Sequence, residues 1–412
     1  MSTSDASSLS LWRRRTALAF AAATLALVIA GCTSRPSPEA VDEVREPLRM
    51  LLRERARLLL AGDGAGYLAP MSPEARQAEE SIARGALDVG LAALDFVVGD
   101  VDTGTGGALD DVEVDFIYRY EGLPEDNDFR FRRIYTVEPR QGSLVITGSQ
   151  PTADPLLQAP IWATGPVEVT RSPHFVALTR PGPMNTEAIL DMAEQARSRL
   201  VPKLTLEPDD AHLVLLARDG NEFSEFLSQA PPERPPGVGD TVSLAVARGV
   251  NRGRGPEERN MVADVSAIVR SARSSYEGRG GVTPEEVFQH ELAHLTLLRF
   301  EGEDTPGWVT EGAAMFLSGE RRVDQWREDV QAGFSGVSLA ELSDGEELDG
   351  KAYGYANAAA LYLIEEYGAD TFWDFYQGIK TSGTSRMLRL SYKMDSAQLD
   401  DRIKAWIREQ IQ

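Results

Sequence analysis

Apolar positions change their spacing several times along the chain, and each change predicts a different element. Residues 16–30 are almost continuously apolar, but shorter than the roughly 20 residues a membrane-spanning helix needs. Over 40–62 the apolar side chains Leu48, Leu51, Leu52, Leu58 and Leu59 recur at helical spacing among Arg and Glu, and the glycines of 62–66 end that helix. A second helix is predicted over 73–85. The period then shortens: strand-like runs at 94–101, 112–120, 129–137 and 144–147 are separated by turns rich in Gly, Asp and Pro. Helices followed by antiparallel strands predict an α+β unit.

Pro151, Pro155, Pro160 and Gly165 mark a boundary near 151–165. Beyond it the spacing predicts one or two strands over 167–179, a helix over 185–200, a strand at 213–217, a short helix at 222–228 and a proline-rich loop at 231–239. Strands at 242–247 and 261–269 come next. From Pro284 to about Arg299 no Gly or Pro interrupts, and Phe288, Leu292 and Leu295 fall at helical spacing. Thr283, Pro284 and Glu286 form the start signal, with a capping box and proline in the first turn. A mostly apolar, small-residue helix is predicted after Pro306 and Gly307, closing near Gly319. Residues 320–350 read as loop or short helices, and helices at 353–368, 372–379 and 399–411 finish the chain.

Length and charge narrow the picture. The chain has 412 residues, enough for two domains, and a net charge of −22. Because residues 1–31 hold three Arg against one Asp, the remainder is more acidic than the whole. That balance argues against nucleic acid as a partner, and no basic patch with interleaved aromatics is present. Cys32 is the single cysteine, so neither an internal disulfide nor thiol catalysis beyond it is available. It ends the run Val28-Ile29-Ala30-Gly31-Cys32, behind the basic Arg13-Arg14-Arg15. This resembles a bacterial lipoprotein signal peptide. The resemblance implies removal of 1–31, a lipid on Cys32, a tether over 32–40, and an extracytoplasmic address anchored to the bacterial cell membrane.

Candidate chemistry concentrates in His290-Glu291-Leu292-Ala293-His294, which holds two of only four histidines. On a helix, imidazoles four residues apart share one face and reach one metal ion, with the Glu between them placed as a general base. A catalytic zinc takes three protein ligands and keeps one position open. Glu311 is the candidate third ligand, since a carboxylate inside an apolar helix is expensive to bury unless paired or metal-bound. Glu301, Glu303 and Asp304 sit in a polar loop and read as solvated. His174 and His212 read as structural or exposed.

The pattern His-Glu-x-x-His, followed 17 residues later by the Glu of Trp308-Val309-Thr310-Glu311-Gly312, resembles the gluzincin metallopeptidases, in particular their bacterial peptidase MA-like branch. The metzincin pattern is absent, because no His follows position 294. The resemblance implies Zn2+ on His290, His294 and Glu311, Glu291 as the base, and peptide or protein as substrate. It also implies a zincin-like catalytic domain over 165–412, a mixed sheet followed by a helical part whose edge strand holds the substrate. The segment from Tyr353 to Gly368 is similar to the helix on which the family carries an oxyanion-binding tyrosine, Tyr353 being the first match and Tyr355 the second. Residues 41–155 look like a cystatin-like or NTF2-like helix-plus-antiparallel-sheet accessory domain. No Gly-x-Met-Glu-Asn motif for an α-amine is present, which favours an endopeptidase. The competing expectation is a non-catalytic, surface-anchored binding or scaffold lipoprotein that keeps a peptidase-like fold.

Overall fold

A computed structural model describes residues 38–99, 102–103, 108–154, 157–205, 211–228, 245–250, 258–264, 283–302, 305–340, 342 and 350–412. The expected signal peptide, Cys32 and the 231–239 loop lie outside these residues. Among the described residues no helix is long and apolar enough to cross a membrane. The protein is α+β and divides into two compact units, one running to Glu121 and resuming over Arg130–Pro166, the other formed by Gly122–Phe129 and Val167–Gln412.

The first unit opens with α1 (Pro38–Leu60), α2 (Gly64–Leu68) and α3 (Pro73–Val89). Ser72 caps α3 with Pro73 in its first turn, and the helix runs one turn past its predicted end because Ile82, Ala83, Ala86 and Val89 continue the buried stripe. Strands β1 (Leu91–Val98), β2 (Asp102–Thr103), β3 (Leu109–Tyr120), β4 (Phe129–Arg140) and β5 (Ser143–Pro151) form one sheet of order β1-β3-β4-β5, with β2 alongside β3. Burial alternates residue by residue along β4, the period of a sheet with one covered face. Phe116 stacks on Phe131 at 4.3 Å within that face.

A buried charge network sits among these inward side chains. Glu79 of α3 accepts from Arg55 at 3.2 Å, Tyr67 at 2.5 Å, Tyr135 at 3.2 Å and Ser149 at 2.5 Å. Arg133 pairs with the same carboxylate at 3.4 Å. Every member has a partner, so the network specifies one packing rather than leaving a charge stranded. Glu79→Ala should therefore destabilise this unit by about 3–5 kcal/mol, because it leaves Arg55 buried without its counter-ion. Denaturant unfolding measures this; a loss under about 1 kcal/mol would show that the charges do not depend on each other.

After the short α4 (Ile161–Thr164), the second unit builds a sheet from β6 (Glu168–Arg171), β7 (Phe175–Thr179), β8 (His212–Ala217), β9 (Ala245–Val250) and β10 (Glu258–Asp264). Its order is β6-β7-β8-β10-β9. The β7–β8 and β8–β10 pairs are parallel, and both edge pairs are antiparallel. The parallel strands β7 and β8 are buried at every position, as expected for strands covered on both faces. Crossovers between them run through α5 (Thr186–Leu200) and α6 (Gly220–Ser228). The described β9 overlaps its predicted span at 245–247 and β10 begins at Glu258, three residues before its predicted start; the predicted residues 242–244 and 265–269 lie outside the described ones. Their antiparallel register carries Glu258 and Arg259 opposite Val250 and Gly249, which hydrophobicity does not reveal.

The remainder is helical: α7 (Pro284–Leu297), α8 (Gly307–Ser318), α9 (Val323–Gln331), α10 (Gly350–Tyr367), α11 (Ala369–Ser382), α12 (Thr384–Tyr392) and α13 (Ser396–Gln410). The span 320–350, predicted as loop or short helices, contains the short α9, whose Trp326 is buried and donates to Gly354 O at 2.8 Å. Helix α12 is absent from the sequence expectations: only Leu388 and Tyr392 are buried, too few to announce a period. One core unites α5, the inner strands and the helices from α7 onward.

Candidate metal centre

Helix α7 begins as its sequence dictates. The Thr283 hydroxyl accepts from Glu286 N at 3.2 Å, and the Glu286 carboxylate accepts from Thr283 N at 2.7 Å. Leu292, Ala293 and Leu295 then sink into the core, so the stripe bearing His290 and His294 faces away from it. One carbonyl near the end of α8 is held from two sides. Gln289, beside the first histidine, donates to Leu317 O at 2.8 Å, and Lys203 donates to the same carbonyl at 2.6 Å. Gly312 fixes the depth of α8: a Cβ there would lie 2.6 Å from Ala356 O and 2.9 Å from Ala360 Cβ. Only glycine lets α8 approach α10 this closely, and that approach sets the position of Glu311 one residue earlier.

Three donor atoms converge as a result. His290 Nε2 and His294 Nε2 are 3.1 Å apart, and Glu311 Oε2 lies 3.3 Å from the first and 3.4 Å from the second. These are the only three such residues among those described that could hold one ion. Tetrahedral zinc at about 2.0–2.1 Å from each donor requires donors about 3.3–3.4 Å apart, which is the triangle seen. Glu311 Oε2 is also buried with no hydrogen bond, an expensive state for a carboxylate oxygen unless a cation meets it. The group therefore fits a metal ion. Glu291 is half-buried on the same helix, and its charge acts on both imidazoles.

His290 has an outer partner that sequence reasoning missed. Its Nδ1 lies 2.8 Å from Glu320 Oε1. Gly319, at φ 84°, ends α8 in the left-handed conformation, and Glu320 N returns to Met315 O at 2.9 Å. This turn brings the Glu320 carboxylate back beside the helix. Ser318 donates to it at 2.9 Å, and Arg322 pairs with it. Buried Asn357 of α10 holds the turn from below, donating to Glu320 O at 3.1 Å and accepting from Arg322 N at 3.0 Å. A carboxylate on the outer nitrogen fixes the tautomer that presents Nε2 to a metal. Glu320→Ala should weaken zinc binding about 10–100-fold, measured by competition with a chromophoric chelator. Unchanged affinity would remove Glu320 from the site. The signal available in sequence was a Glu immediately after a helix-ending Gly.

The electrostatics without metal are those of trapped protons. Burial alone would lower the His290 pKa, but Glu311 and Glu320 outweigh it and raise it to about 10. His294 is also raised, burial being overcome chiefly by Glu311. Burial would push the Glu311 carboxyl up, but the two imidazoles outweigh it and hold it far below the carboxylate range; Glu320 falls to about 2 against the same opposition, held there chiefly by His290. A raised His290 contributes stability in full below its unfolded value of about 6.5 and loses it as pH climbs to about 10. The metal-free protein should lose stability across that window. Zinc must displace these protons, so calorimetry in buffers of different ionisation enthalpy should show one to two protons, roughly, released near pH 7. Zinc uptake with no proton release would place the ion elsewhere.

Tyr355 is fully buried, with its hydroxyl given to Asp400 Oδ1 at 2.7 Å, which commits it to packing α10 on α13. Tyr353 is half-buried in the first turn of α10 and packs against the core. Glu301 departs from expectation: it is not a solvated loop acid but half-buried, accepting from the Tyr376 hydroxyl at 2.6 Å. Its backbone follows the tight turn at Leu298–Phe300 that drops the chain onto α11, a consequence of packing that a polar loop composition conceals. His174 pairs with Glu194 at 2.7 Å, and His212 lies on β8 beside Phe175; neither joins the triangle.

No protein-family model matches the chain, and no curated protein matches it. Among solved structures, it is similar to a mutant two-domain M1 zinc metallopeptidase bound to the amino acid L-tryptophan, at 14% identity and a TM-score of 0.31. The match covers 66% of this chain and 59% of that one.

Proposed function

We propose that the chain is a zinc-dependent metallopeptidase of gluzincin type that hydrolyses peptide bonds at the outer face of a bacterial cell membrane, held there by a lipid on Cys32. The observation that carries the reading is the triangle of His290, His294 and Glu311, with its orphaned carboxylate oxygen. In this reading residues 165–412 form the catalytic domain, and 41–155 an accessory domain that binds, positions or occludes. His290, His294 and Glu311 would hold the zinc, which would supply Lewis acidity at that point. Glu291 would accept the attacking water's proton and return it to the leaving amine. Tyr353 supplies a hydrogen bond to the oxyanion. Glu320 keeps His290 in register throughout. Among the described residues strand β9 is at the sheet edge and paired on one side, to β10; in this reading its other side receives an extended peptide.

The decisive experiment is elemental analysis of the purified chain, followed by a peptide-library screen before and after chelation. About one zinc per chain, with cleavage that a chelator removes and zinc restores, supports the proposal. A chain that binds zinc but cleaves no peptide favours the surface-binding lipoprotein instead.

A further inference from the structure

Helix α10 supplies none of the three donors, yet adjacent residues of it hold the backbone beside both carboxylates of the centre. Ala356 O and Ala360 Cβ form the surface on which Gly312 rests, next to Glu311. Asn357 follows Ala356 and is fully buried. Its side-chain amide spans the turn after α8: Nδ2 donates to Glu320 O at 3.1 Å, and Oδ1 accepts from Arg322 N at 3.0 Å. These two backbone groups bracket Arg321, so the amide fixes the direction in which the Glu320 side chain leaves the chain. That direction brings the carboxylate to His290 Nδ1 at 2.8 Å.

The turn itself does not need a buried amide. Gly319 and Arg321 are exposed, so water could satisfy the polar backbone groups between them. A side-chain amide at a fully buried position is costly unless both its donor and its acceptor are paired, and here both are, on this one turn. Aspartate would lack the donor, and leucine both groups. Resting on the metal-centre reading, we propose that Asn357 is a positioning residue of that centre: through Glu320 it sets the orientation of His290. Zinc affinity then depends on a helix that holds no ligand. Ala356 and Asn357 make one turn of α10 the template for the inner carboxylate and the outer one together. Tyr353 lies one turn earlier on the same face of α10, so the same contact registers it to the ion.

The test is a double-mutant cycle on zinc affinity, measured on the purified chain by competition with a chromophoric chelator. Asn357→Ala should weaken zinc binding about 10-fold, as for an outer-shell partner. In a Glu320→Ala background the same substitution should change affinity less than about 2-fold, because the group it acts through is gone. The metal-free chain gives a second readout. The Nδ1–H of His290, hydrogen-bonded to Glu320, should give a downfield proton resonance that Asn357→Ala loses. Should Asn357→Ala not fold, Asn357→Ser carries both measurements and should change them in the same direction. Equal losses of affinity in the two backgrounds overturn the proposal, since additive effects mean that Asn357 does not act through Glu320. Lowered thermal stability with unchanged zinc affinity, or a His290 resonance that persists in the variant, also overturns it and leaves the metal centre standing. An unaltered chain that takes up no zinc removes the metal reading and this inference together.

Discussion

Replacing Glu291 by Gln should leave about one zinc per chain and lower kcat by about 10²–10⁴-fold. The substitution keeps the size and removes the basicity. His290, His294 and Glu311 form the triangle without help from Glu291, so the ion has no reason to leave. What disappears is the group that accepts the water proton and hands it to the leaving amine, an interaction made in the transition state. The loss should therefore fall on kcat, with KM little changed. Steady-state kinetics on a peptide found by the library screen, together with zinc analysis of the same preparation, separates the outcomes. Retained zinc with retained turnover would assign the base elsewhere. Lost zinc would make Glu291 part of the coordination rather than the proton transfer.

Glu311→Ala should abolish both zinc retention and activity. Four-donor structural zinc sites bind with about 10–16 kcal/mol, so one donor is worth about 3 kcal/mol or more, roughly 10²–10³-fold in Kd. The effect extends to the metal-free protein. Glu311 is a principal counter-charge for both imidazoles, so its removal should bring their raised pKa values down toward the ordinary range. NMR titration of the two histidines in the metal-free variant measures this directly. Elemental analysis of His290→Ala in parallel should give the same metal loss. Zinc still bound in both variants, at one per chain, would refute the three-donor centre.

Much of this molecule is legible in its order of residues. The helix of the two histidines was readable from cap to core, because Thr283, Pro284, Glu286, Leu292 and Leu295 are local signals within one element. The close of α8 at Gly319 was readable for the same reason. Glu311 stood out because an acid inside an apolar helix demands an explanation. By contrast, Glu320 and Glu301 look in the sequence like ordinary polar-loop acids, and nothing near them in the chain names His290 or Tyr376 as a partner. The choice between Tyr353 and Tyr355 was open in sequence. It narrows in the structure, where Asp400, 45 residues away, holds the Tyr355 hydroxyl.

The division follows from range. Helical periodicity, caps and the four-residue spacing of His290 and His294 act within one or two turns, so the sequence alone determined that two imidazoles share a face with a glutamate between them. Whether three donors close to about 3.3 Å depends on how near α8 lies to α7 and α10, which packing at Gly312 and the shared Leu317 carbonyl settle. The outer carboxylates were decided later still, by turns whose direction is fixed only when the helices they join are packed. Local chemistry named the ligands; tertiary structure set their distances and supplied the groups that hold them.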